Sequence, residues 1–87
     1  MLEESVVEAV GEVVEKNWSV LGRGTLRLLR ERYPGVFFVA VSSSDVEGSP
    51  ARMAGSVGLH FINASDHCVT VVSDIKLAGG ILLAVRE

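Results

Sequence analysis

Hydrophobic positions change their period along this chain. Val6, Val7, Val10, Val13 and Val14 recur at helical spacing, with Glu3, Glu4, Glu8, Glu12 and Glu15 mostly elsewhere around the wheel. That pattern predicts a helix starting at Leu2 or at Ser5 and ending near Lys16. Ser5 followed three residues later by Glu8 fits a capping box. Valines and Gly11 make the segment a poor helix in isolation, so packing has to hold it. Asn17-Trp18-Ser19 reads as a connection, with Ser19 as N-cap of a second helix over Val20 to Arg32. Leu26, Leu29 and Tyr33 form its buried stripe, with Leu28 beside it, and Pro34-Gly35 ends it.

The period then shortens. Val36 to Val41 is apolar at every position, β-branched and aromatic, and too short for a helix, so it predicts a central strand covered on both faces. Ser42 to Gly55 is a long polar loop, and Ser43 to Ala54 is expected to be the most mobile internal segment. Val57 to Val72 organises the rest. Two apolar runs, Ser56–Ile62 and His67–Val72, flank Asn63-Ala64-Ser65-Asp66, the signal of a β-hairpin. In that register residue 62 lies opposite 67, 61 opposite 68 and 60 opposite 69. Val57, Leu59, Phe61, Cys68, Thr70 and Val72 then share one face; Gly58, His60, Ile62, His67, Val69 and Val71 share the other. Ser73 to Gly80 holds a helical turn capped by Ser73 or Asp74, Gly79-Gly80 reads as a turn, and Ile81 to Val85 is the last strand.

Helices precede strands, so the chain is expected to be one α+β domain over residues 1–87, with two N-terminal helices on one face of a four-stranded antiparallel sheet. The second face then presents Ile62, Val69 and Val71. With 48% hydrophobic residues in 87, so small a domain has too little interior for its apolar surface. A homodimer packed through the sheet or through edge strands follows as the expectation.

Charge and cysteine count narrow the rest. The net charge of −3 argues against non-specific nucleic-acid binding. One cysteine excludes an internal disulfide. No apolar run approaches the roughly 20 residues that span a bilayer, and the glutamates of the first segment do not fit a signal peptide. A cytoplasmic protein with no membrane partner and no cofactor is expected.

Candidate chemistry gathers at the hairpin. His60 and His67, with Asp66 or Asp45 of the long loop, would suit a metal or acid–base site. Two histidines without a defined third ligand are a weak signal and more often ordinary residues of an interface or sheet end, so no metal site is assigned. Cys68, opposite Phe61, reads as a buried hydrophobe slow to react with thiol reagents. His67 cannot easily serve it as a base, because adjacent strand residues point to opposite faces. Arg23, Arg27 and Arg30 form a basic edge that could meet phosphates. The alternative, a solvated face neutralised by the glutamates of the first helix, fits the overall acidity better.

Leu29-Arg30 before Tyr33-Pro34-Gly35, an aromatic strand including Phe38, Asp45-Val46, Pro50, His67-Cys68, Asp74, Ala78-Gly79 and Ala84-Val85 form an ordered series. From Leu26 to Ala84 the chain resembles small uncharacterised proteins encoded within bacterial nitrogen-fixation gene clusters, near the nitrogenase genes. It departs from them in a less acidic loop and a hairpin break without glycine, so no acidic metal site carries over. The resemblance implies an association with nitrogen fixation and a nitrogenase-related protein partner; it brings no catalytic residues. The expected function is a non-enzymatic accessory domain acting through protein–protein contacts. The alternatives are a metal-binding or sensing protein using His60 and His67, and a nucleic-acid binder using the arginine edge.

Overall fold

The computed structural model of the protein describes residues 2–46, 48–65 and 68–86, without the side chains of Ala64, Ser65, Cys68 and Val69. Helix α1 spans Glu4–Leu21 and α2 spans Thr25–Arg32, joined by a 3-10 turn at Gly22–Gly24. The valine stripe is the buried face of α1, as its period predicts. The predicted break at Asn17-Trp18-Ser19 does not form. Asn17 Nδ2 donates to the Val13 carbonyl oxygen at 2.8 Å, so a residue read as a breaker is bonded back along the helix. The helix ends instead at Gly22, whose φ of 54° is one that L side chains rarely adopt. Ser19 therefore lies inside a helix and caps nothing. The capping box is also absent: Glu3 is the N-cap, without a side-chain bond.

Among the described residues five strands form one sheet: β1 Phe37–Ser42, β2 Arg52–Ala54, β3 Val57–Ser65, β4 Cys68–Val72 and β5 Gly80–Val85. The fold is α+β, but the sheet is mixed and five-stranded rather than four-stranded and antiparallel. β1 pairs with β5 in parallel, and β5 pairs antiparallel with β3. The other edge of β3 takes two strands in succession, β2 along Val57–Leu59 and β4 along Phe61–Ser65. The long loop is thus shorter than predicted: Ser43–Asp45 is a 3-10 turn and Arg52–Ala54 is a strand.

β1 was expected at the centre and lies at an edge, with Phe37 45% exposed. The central apolar strand is β5, buried from Gly80 to Ala84. A continuous apolar run marks a well-covered strand without saying which of two such runs has neighbours on both sides. Gly80 is not a turn residue: it pairs with Phe37, and a Cβ there would lie 2.3 Å from the Phe37 carbonyl oxygen. Asp74 does cap the turn before β5, accepting the Lys76 N–H at 2.9 Å.

The hairpin register also differs. Ser65 pairs with Cys68 and Phe61 with Val72, so Asn63, Ala64 and Ser65, expected in the hairpin break, continue β3, while Asp66 and His67 lie outside the described residues. The slip is an even number of residues, so the predicted faces survive it. Val57, Leu59, Phe61 and Val72 join the core under the helices with Val10, Val14, Leu29, Phe38, Ile81 and Leu83. Ile62, Leu82 and Ala84 occupy the opposite face. Ile62 is fully buried rather than presented, with Val39, Val41 and Val46 packed around this cluster.

Candidate binding site around His60

The site arises from the way β2 and β4 share one edge of β3. Arg52 pairs with Leu59 and Val72 with Phe61. Both ladders extended by one residue converge on His60, with Ala51 reaching it from one side and Ser73 from the other. Two strands meeting end to end leave a notch, and His60 lies at its centre on the face away from the helices.

Two pockets open there. One, of about 260 Å³, is lined by Val46, Pro50, Met53, Gly58, His60 and Arg86, among others. The second, of about 340 Å³, is lined by Gly48, Ala51, His60, Val71 and Ser73, among others. Gly58 makes room for the overlying segment, since a Cβ there would stand 3.1 Å from Pro50. Met53 pairs with Gly58 and Val71 with Ile62, so both share the face of His60; they are 55% and 47% exposed.

His60 is only 4% exposed. Desolvation by burial holds its pKa below the ordinary 6.5, so the imidazole is neutral at pH 7. A neutral ring bordering two concavities offers one donor and one acceptor to whatever enters. The walls around it are mixed, with Val46, Pro50, Met53 and Val71 alongside Ser43, Ser73 and Arg86.

Of the other residues predicted for this patch, the structure places the side chain of one, Asp45, and it stands away from this site. Asp66 and His67 lie outside the described residues, as does the Cys68 side chain, so the expected burial of the thiol falls there too. The register formed places position 60 opposite 73, where position 69 was expected. Ser65 stands five positions along β3 from His60, roughly 17 Å at strand rise. Asp45 is exposed on the 3-10 turn and lines neither pocket. Among the described residues no group of three or more His, Cys, Asp or Glu is placed to hold a metal ion.

The arginine edge has another use. Arg30 Nη2 donates to the Phe38 carbonyl oxygen at 3.1 Å, and Arg23 Nη1 donates to that of Ala40 at 3.4 Å. Arg27 meets Glu31 at 3.4 Å, an exposed i,i+4 pair of small worth. Glu8 of α1 meets Arg52 of β2 at 3.9 Å. Arg52 in turn lies across Gly11, where a Cβ would meet its Nε at 3.2 Å.

Sequence reading singled out His60 but missed Pro50, Met53, Arg86 and the notch itself. A glycine two residues before the histidine, inside an apolar strand, was the available signal of close approach. Among the described residues no helix is long and apolar enough to cross a membrane. Comparison with protein-family models, with curated proteins and with solved structures finds no match to this chain.

Proposed function

We propose that this chain is a small non-enzymatic accessory domain that works by protein–protein contact through the helix-free face of its sheet, with a second copy of itself as the first partner. The observation that carries this reading is the pair Met53 and Val71, about half exposed on either side of the His60 notch. Apolar side chains beside a concavity form the kind of patch that becomes the centre of an interface. Isologous pairing brings the same patch from both copies, each knob facing the other's hollow.

The likeness of residues 26–84 to proteins of nitrogen-fixation clusters supports a nitrogenase-related protein as a further partner on the same face. Amide hydrogen exchange at low and high protein concentration tests the surface. Protection that grows with concentration at residues 53, 60 and 71, but not along α1, is expected. Growth confined to the helices, or none at all, refutes the reading.

A further inference from the structure

Arg23 of the 3-10 turn and Arg30 of α2 point to a second surface, independent of the helix-free face. β1 is an edge strand, paired on one side by β5. In parallel pairing the N–H and C=O of one residue point to the same side. The Phe37 N–H is turned inward, donating to the Gly79 carbonyl oxygen, so Phe38, Ala40 and Ser42 turn their backbone groups outward. The outward carbonyls of Phe38 and Ala40 are those that Arg30 and Arg23 hold. Two guanidinium groups thus clasp carbonyls two residues apart, roughly 6.7 Å at strand rise.

That spacing is also the spacing of alternate side chains on an extended chain. We propose that the β1 edge is a guarded strand-addition site for an acidic extended segment of a partner protein. Carboxylates at alternate positions take Arg23 and Arg30 off the strand, and the segment's backbone replaces them on Phe38, Ala40 and Ser42. A carboxylate is the stronger acceptor for a guanidinium, so the exchange is favourable where the partner is acidic. A neutral or basic strand leaves the clasp closed, which also protects the edge from pairing with itself. Arg32 at the end of α2 adds to the local positive field, while Arg27 is paired with Glu31 of the same helix. The guanidinium groups lie along a row of backbone carbonyls rather than across an open surface, which suits a peptide better than a nucleic-acid backbone.

The test uses the whole wild-type chain, isotope-labelled, titrated with a blocked octapeptide of alternating Thr and Glu. Shifts and slower exchange of the Phe38, Ala40 and Ser42 amides are expected. A Thr/Lys octapeptide, and a Thr/Glu octapeptide N-methylated at alternate amides, should bind at least tenfold more weakly. The double variant Arg23→Glu with Arg30→Glu should reverse the charge preference. Equal affinity of the N-methylated peptide would reduce the effect to charge alone and overturn the proposal. So would tighter binding of a single-stranded octanucleotide, or the absence of any shift at these amides up to millimolar peptide.

Discussion

Gly80→Ala should be among the most damaging single-methyl additions in this protein. The added Cβ would stand 2.3 Å from the Phe37 carbonyl oxygen and 2.8 Å from the Phe37 Cβ, where 3.0 Å is the practical limit. The first of these atoms is backbone, so no rotamer change relieves it. β1 and β5 have to part by about 0.7 Å at this point, an overpacking that costs about 1–3 kcal/mol. The ladder bonds at the start of the pair, including Phe37 N–H to Gly79 O at 3.1 Å, stretch with it, and each is worth about 0.5–1.5 kcal/mol net. A loss of about 2–4 kcal/mol follows, against a total of about 4–13 kcal/mol for a domain of this length. Urea unfolding followed by circular dichroism measures it. Gly79→Ala is the control: nothing lies within 4 Å of its Cβ position, and its change should stay within about 0.5 kcal/mol. Equal midpoints for the two variants would mean that β1 does not meet β5 in this register.

Three further outcomes are expected. The Thr25 hydroxyl is fully buried and has no hydrogen-bond partner among the described residues, so Thr25→Val should be neutral or stabilising by about 1 kcal/mol in the same urea assay; a loss beyond 1 kcal/mol would reveal a partner. Because burial lowers the His60 pKa, the unfolded chain binds more protons between the folded value and 6.5, and stability rises with pH there. That contribution is complete above about pH 6.5 and lost as pH falls through the folded value. The urea midpoint of His60→Gln should therefore fall less than the wild type's between about pH 7.5 and pH 5; parallel falls would refute the assignment. Arg30→Ala should cost about 0.5–1.5 kcal/mol and Arg27→Ala nothing measurable, and thermal melts that rank them the other way would contradict the clasp on β1.

Much of the fold was legible because period survives errors of register. The valines of α1 alternate as a helix must, so their buried face was readable although the helix runs on to Leu21. The faces of β3 and β4 were readable because an even slip preserves them. Neighbour order was not. Val36–Val41 and Gly80–Val85 are both short apolar runs, and the choice of central strand depends on a parallel crossover that no local signal encodes. β2 is three residues long inside a polar stretch, below what alternation can reveal. The notch at His60 followed β2 into obscurity, since it exists because β2 and β4 abut on one edge of β3. The arginines were visible as a charged row, but their acceptors are backbone carbonyls, which leave no mark in a sequence.

The claim that the helix-free face is an interface between copies is tested most directly by sedimentation equilibrium from about 1 µM to 1 mM. Burying a Met or Val side chain contributes about 1.5–3 kcal/mol, and these are already half covered, so the four in a two-fold pair add about 3–6 kcal/mol. Those four side chains do not by themselves offset an association cost of about 4–15 kcal/mol, so a dimer formed by 1 mM requires the rest of the face to be buried with them, hence the high upper concentration. The wild type should rise from the 9.3 kDa of one chain towards twice that mass, while Val71→Lys and Met53→Lys stay at 9.3 kDa and Glu12→Gln behaves as wild type. A wild type that remains at 9.3 kDa throughout, or variants on the face that associate as well as it does, would contradict the account.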